Sequence, residues 1–314
     1  MAGQIKPSGN NGRKRTAAAR NPMDAVRTTR TVRKPATRKK KTSAKGTLTP
    51  LKILKYAFIT LLVSFVIAAG YRYRHGFLYY LGFKTDKRIN VLTKEERKIA
   101  DLRIYEIVSR HKDRVFGMDV SHYQGKIQWD SIERSKGDFP LDFVFIRATA
   151  GKNATDTEFL RNWKNSKNAG FIRGAYHYYR PDENSVLQAD NFIKTVTLHK
   201  GDLPPVIDIE KVPSGQSLDS LKSGLKRYLA KVEKHYGVKP IIYSGESFYT
   251  DFLKEEFTGY NLWIANYSFF EDEIRKEWLF WQFTDKGAVK GIDGTIDVNI
   301  YNGGLQDLKQ LQIP

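Results

Sequence analysis

The sequence predicts an α/β chain whose main body is an irregular (β/α) barrel, and three observations lead there. Between residues 115 and 301 eight short runs rich in apolar, β-branched and aromatic residues follow one another: VFGMDVS, DFVFIRA, FIRGAYHYY, PPVIDI, KPIIYS, NLWIANY, WLFWQF and TIDVNIY. Continuous apolar runs of this length belong to strands covered on both faces, as in a mostly parallel sheet. The spacers vary, and the one between WLFWQF and TIDVNIY is too short for a full helix, so the barrel is compact and some of its units have lost their helices.

The first element in chain order is a tail. Of the 53 Lys and Arg and 34 Asp and Glu in these 314 residues, residues 1–55 hold 16 bases and a single acid, Asp24, which leaves 37 bases and 33 acids for the remainder. The net charge of +19 therefore belongs to the tail and not to the main body. Residues 1–50 have almost no large apolar side chains, cannot bury enough surface to offset their ordering entropy, and are expected to be disordered. A polybasic segment of this kind suits the anionic lipid of a cytoplasmic leaflet, or nucleic acid. No aromatic residues interleave with its charges, as single-strand binding would favour.

Next comes ILKYAFITLLVSFVIAAGY, residues 53–71, with one charge at Lys55. About 20 mostly apolar residues in a helix span a bilayer, so residues 51–73 are assigned to a transmembrane helix. The bases ahead of the span should stay inside, which predicts a single-pass chain with a cytoplasmic N-terminus and everything after residue 71 outside. A cleaved signal peptide is the rival, since Ala68, Ala69 and Gly70 offer small residues after the apolar core, but the basic region ahead is far longer than a signal peptide's. Residues 74–113 read as a juxtamembrane linker, aromatic and basic at first and then, from about 93 to 110, an amphipathic helix or stalk. Thr93 and Glu96 have the spacing of a capping box. Residues 114–314 are the barrel.

Within the barrel the clearest crossover helix is SLDSLKSGLKRYLAKVEKHYG, where Leu218, Leu221, Leu225, Tyr228, Leu229 and Val232 recur at helical spacing and Gly237 is the stop. That stripe is packing. The chain has no cysteine, so neither a disulfide framework nor a thiolate metal site is available.

The chemical signal lies in PPVIDIE. Strand side chains alternate with period two, so Asp208 and Glu210 project from the same face. Two close carboxyls do not both ionise readily, and one should hold a proton near neutral pH. A (β/α) barrel gathers reactive groups at the C-terminal ends of its strands. Here that rule collects Asp119, Arg147, His177, Tyr178, Asp208, Glu210, Tyr243, Trp263, Tyr267, Gln282 and Asp297. One histidine besides His122 argues against a histidine-rich metal site. Neither a G-x-S-x-G elbow nor a phosphate-cradling glycine loop occurs. No metal and no cofactor is expected. Carboxylates beside aromatic rings suit sugars, and glycoside hydrolysis needs one carboxyl to protonate the leaving oxygen and another to support an oxocarbenium-like centre.

The blocks DVSHYQG (119–125), FIRATAGKNATDTEF (145–159), GAYHYY (174–179), VIDIE (206–210), IIYS (241–244), LWIANY (262–267) and FWQFTDKGAVKGIDGTIDVNIYNG (280–303) resemble, in order and spacing, those of glycoside hydrolase family 25, the muramidases of the Chalaropsis lysozyme type. The resemblance implies an irregular barrel of TIM type with five βα units and three further strands. It implies cleavage of the β-1,4 bond from N-acetylmuramic acid to N-acetylglucosamine, with peptidoglycan glycan strands as the partner. By the same resemblance Glu210 is the general acid, Asp208 the carboxylate that orients the substrate's own acetamido group, and Asp119 and Asp297 the other acids of the cleft. Tyr178, Tyr243, Trp263, Tyr267, Gln282, Arg147 and His177 are the expected substrate contacts. One departure is Ala150, where many members carry Glu; it touches subsite detail more than the four acids. Two alternatives are an endo-N-acetylglucosaminidase of family 18 type, whose longer D-x-x-D-x-D-x-E pattern is missing, and a non-catalytic peptidoglycan-binding domain.

Overall fold

The computed structural model describes residues 49–72, 92–132 and 140–314. The basic tail up to residue 48 and the aromatic, basic stretch 73–91 lie outside the described residues. Helix α1, Pro50–Arg72, is the segment assigned to the membrane, and its stretch Pro50–Ala68 is long and apolar enough to cross one. From Leu51 to Ala68 its side chains are exposed.

Helix α2, Lys94–Arg110, starts at the capping box expected from sequence: Thr93 Oγ1 accepts from the Glu96 N–H at 3.2 Å, and the Thr93 N–H donates to Glu96 Oε2 at 2.8 Å. It is no free stalk. Ala100, Arg103, Ile104 and Ile107 form a buried stripe at helical spacing, and the helix packs on strand β8, Phe280–Gly287.

Eight strands close the barrel: β1 (Val115–Val120), β2 (Phe143–Ala150), β4 (Ile172–Tyr178), β5 (Val206–Asp208), β6 (Ile241–Gly245), β7 (Leu262–Ala265), β8 and β9 (Ile296–Tyr301). Each of the eight runs read from sequence coincides with one of these strands, with β2, β6 and β8 continuing past their runs to Ala150, Gly245 and Gly287. Strand β1 pairs in parallel with β2 and antiparallel with β9, and this closes the ring. The strands from β1 through β2 to β8 are parallel to their neighbours, while β9 is antiparallel to both β8 and β1. A reversed last strand needs no crossover, which is why the spacer before it is short. A ninth strand, β3 (Ala154–Thr155), forms a small hairpin with β2 outside the ring.

Helices α3 (Phe159–Asn168), α4 (Ser185–Thr195) and α5 (Leu218–Tyr236) follow β3, β4 and β5, and two short ones, α6 (Glu246–Phe248) and α7 (Leu305–Gln310), complete the set among the described residues. Helix α5 begins at Ser217, whose hydroxyl accepts from the Ser220 N–H, and ends at Gly237 with φ 71°, a left-handed cap that only glycine adopts without strain. Its stripe Leu221, Leu225, Tyr228, Leu229 and Val232 is buried, as its spacing predicts.

Alternation along the strands separates two cores. Outward side chains such as Val144, Ile146, Ile207, Ile242, Ile264 and Trp281 pack under the helices. Inward ones meet across the barrel: Phe145 stacks on Trp263 with centroids 4.5 Å apart, and Phe143 meets Phe280 at 5.2 Å. Gly174 makes room for this, since a Cβ there would lie 2.5 Å from the Phe145 ring. The lumen is thus plugged by rings from below, and polar groups occupy the rim where the parallel strands end.

Candidate active site

Three of the four sequence-predicted acids are at or beside C-terminal strand ends. Asp119 is the penultimate residue of β1 and Asp208 the last of β5. The chain stays extended past Asp208, with the Ile209 N–H donating to the Tyr243 carbonyl at 3.0 Å. Period two therefore carries on and turns Glu210 to the same side. Asp297 arrives differently, from the N-terminal end of β9. Because that strand is reversed, its start lies on the same rim, directly opposite Asp119 in the β1–β9 register.

The acids differ in surroundings. Asp119 is 6% exposed, and its Oδ2 accepts from Asn299 Nδ2 at 2.8 Å and from Gln282 Nε2 at 2.7 Å. Burial pushes its carboxyl up to about 6; the donors Asn299 and Gln282 and a hydrogen bond with Asp297 hold it back, while the charge of Glu210 adds to the rise. Asp208 is 7% exposed and its Oδ1 has no hydrogen-bond partner in the protein. Burial first, then the charges of Glu210 and Asp119, push it well above the carboxylate range, against the pull of Arg147. Glu210 is exposed, at the mouth. The pair is therefore split by depth, and burial raises the carboxyl of its deep member, Asp208.

Gln282 organises the floor beneath them. Its Oε1 accepts from the hydroxyls of Tyr243, at 2.8 Å, and Tyr267, which fixes the amide so that its NH2 faces Asp119. Tyr243 Oη also lies 3.5 Å from Glu210 Oε1. Trp263 donates to Asn299 Oδ1 at 2.8 Å, and the far side of that amide serves Asp119. Gln282 and Trp263, both 2% exposed, hold the acids in place from below, where the sequence reading had them as substrate contacts. Tyr178, Tyr267 and Arg147 are partly open at the rim.

His177 does not join the site. Tyr176 and Tyr178 face the lumen, so period two turns His177 outward beneath α4 and α5. There it is 0% exposed, with Nδ1 2.7 Å from Thr149 Oγ1, Nε2 3.1 Å from Gln188 Oε1 and its ring stacked on Tyr228. This corrects its place among the substrate contacts; it is a packed core histidine. Burial lowers it to about 4 from an ordinary 6.5. A base depressed in the fold contributes stability that is present above 6.5 and is lost as pH falls towards 4. We expect the melting-temperature gap between wild type and His177→Gln to narrow as pH falls from 7 to 4. A gap constant over that range counts against a neutral buried imidazole.

Three residues escaped the sequence reading. Tyr176 is buried among the acids, and its hydroxyl is pushed well above 10 by burial and by Asp119. Asn299 is the direct partner of Asp119. Asp156, its side chain 1% exposed, accepts from Arg147 Nε at 2.9 Å and from the His122 N–H at 3.0 Å, and so aims Arg147 across the Tyr123 ring. The signal for the first two was present: alternation places Tyr176 with Tyr178, and Asn299 with Asp297, on one face.

Comparison with known proteins bears on what such a rim does. Residues 118–292 match the family model described as glycosyl hydrolases family 25. The YegX protein of Escherichia coli (strain K12) is 39% identical over 197 residues, covering 62% of this chain and 72% of YegX. Lysozyme M1 of Streptomyces globisporus is 34% identical over 212 residues, 63% of this chain and 71% of the lysozyme. The crystal structure of the bacterial lysozyme from Streptomyces coelicolor superposes with a TM-score of 0.57 at 31% identity, covering 63% of this chain and 96% of that one.

Proposed function

This chain belongs to glycosyl hydrolase family 25, and from that membership we infer that it is a lysozyme-type hydrolase cleaving the β-1,4 bond between N-acetylmuramic acid and N-acetylglucosamine in peptidoglycan. The observation that carries the reading is the convergence of Asp119, Asp208, Glu210 and Asp297 on one rim of the barrel, above a plug of aromatic rings, inside or adjoining the matched region. Glu210, open at the mouth, donates its proton to the leaving glycosidic oxygen. A glycan seated over a carboxyl excludes water from it and favours the neutral, donating form.

Asp208 receives the substrate's 2-acetamido group, whose N–H finds the unpartnered Oδ1. As the acetamido carbonyl oxygen bonds to the anomeric carbon, the glycosidic C–O bond breaks and the leaving oxygen takes the Glu210 proton; water then opens the cyclic intermediate at the anomeric carbon and returns a proton to Glu210. Asp119 and Asp297 press on Asp208 with like charge, and Arg147 offsets part of that repulsion. The test is digestion of purified peptidoglycan by the full chain in detergent. New reducing ends at muramic acid are the expected product; ends at glucosamine, or binding without release, would overturn the reading.

The apolar helix α1 anchors this enzyme in the cytoplasmic membrane, with the basic N-terminus inside and the barrel on the outer side, against the wall. The charge asymmetry across the span supports that orientation. A reporter that is active only outside the cytoplasm should work when fused after residue 314 and be silent when fused ahead of residue 1. The reverse pattern would reject this topology.

A further inference from the structure

Helix α2 lies outside the matched region 118–292, yet it carries a fully buried cation. Arg103 sits on the same stripe as Ala100, Ile104 and Ile107 and is 0% exposed. Burying a guanidinium is unfavourable unless its donors are used. Its Nη2 donates to the Ser268 carbonyl at 3.0 Å and to the Glu271 carbonyl, and its Cζ lies 5.6 Å from the Phe269 ring centroid and 5.9 Å from that of Trp281. The helix and its C-cap His111 reach the same loop at two other points, Asp272 and Glu273, and strand β8 at one, Lys286. Arg97 Nη1 donates to the Lys286 carbonyl at 3.1 Å, Arg110 pairs with Asp272 at 3.2 Å, and His111 Nε2 lies 3.3 Å from Glu273 Oε2.

The gripped loop, 266–273, is the one that delivers Tyr267. Its first residues are stitched to β8: the Asn266 N–H donates to the Gln282 carbonyl at 3.1 Å, and Trp281 Nε1 donates to the Asn266 carbonyl at 2.8 Å. Tyr267 then donates to Gln282 Oε1, and Gln282 donates to Asp119. A continuous set of contacts runs from the helix to a cleft acid.

We propose that α2 is a positioning helix for the active site, in which Arg103 holds the loop that sets Tyr267 and, through Gln282, the donor to Asp119. The proposal rests on the hydrolase reading above for its kinetic arm. It makes the helix between the membrane segment and the barrel part of the working enzyme, and Arg103 a positioning residue with no contact to substrate.

The experiment compares Arg103→Met, Arg103→Lys, Tyr267→Phe and the Arg103→Met/Tyr267→Phe pair in the full chain. Arg103→Met takes a donor from the Ser268 and Glu271 carbonyls and is expected to cost stability, so kcat is read well below the melting temperature of each variant, where a purely structural role would leave it unchanged. The expected result for Arg103→Met is a fall in kcat of roughly ten-fold with KM nearly unchanged. The acid limb of its pH–rate profile should move upward, because Asp119 loses an oriented donor. Arg103→Lys should recover part of the rate. The paired variant should be no slower than the slower single one, since both changes act through one contact chain. Unchanged kcat, or fully additive losses, would overturn the proposal. Amide hydrogen exchange of residues 266–273 reads the same coupling without turnover: faster exchange in Arg103→Met supports it and equal exchange overturns it, even for a protein that released no reducing ends.

Discussion

Glu210→Gln is expected to lose at least about 100-fold in kcat on peptidoglycan, the lower range for removing a general acid. The amide keeps the shape of the side chain and the neighbouring Tyr243 hydroxyl, 3.5 Å away, but has no proton to give. Because Glu210 is exposed, the change should leave thermal stability within about 0.5 kcal/mol, so the loss can be assigned to chemistry. A substrate whose leaving group needs no protonation should be affected far less. Near-normal turnover of peptidoglycan by this variant would remove Glu210 from the donor role.

Asp119→Asn should move activity and stability in opposite directions. A carboxyl raised in the fold contributes stability that is complete below its unfolded value, near 3.8, and is lost as pH rises through the folded value of about 6. Above pH 6 the wild type therefore carries a buried charge that the variant lacks. The oxygen of the introduced amide can still accept from Asn299 and Gln282. We expect the variant to gain on the order of 2 kcal/mol at pH 7 and nothing at pH 4, while its turnover falls roughly 100-fold as the cleft loses a negative charge beside the reacting sugar. Thermal unfolding at the two pH values measures this. An equal difference at both, or a variant less stable at pH 7, would contradict the origin assigned to the raised carboxyl. Active-site acids held in mutual repulsion trade stability for function in this way.

Much of this was legible in the chain because it depends on local period and composition. Eight apolar runs gave eight strands, Ser217 and Gly237 bounded the crossover helix, and Thr93 with Glu96 opened α2. The D-x-E spacing placed Asp208 and Glu210 on one face. The same period, applied to GAYHYY, separates His177 from Tyr176 and Tyr178. The strand-end rule collected His177 regardless, because that rule ignores which face a side chain occupies. Asp297 was included by a rule that does not describe it, since β9 runs backwards and presents its N-terminal end to the rim.

The strand runs, the apolar span with its charge asymmetry, and the set of carboxyls able to share a cleft can all be read along the chain, because each follows from alternation, length or charge. That Asp208 lies deep and Glu210 at the mouth, that Gln282 and Trp263 support from below, and that Arg103 reaches the loop of Tyr267 emerge only in the folded barrel. Burial depth and the partners of a buried donor are set by residues distant in sequence: Asn299 is 180 positions from Asp119, and Ser268 is 165 from Arg103. No local pattern encodes such pairs: the first forms only when closure of the barrel brings β1 and β9 together, and the second only when α2 packs on the barrel beside β8.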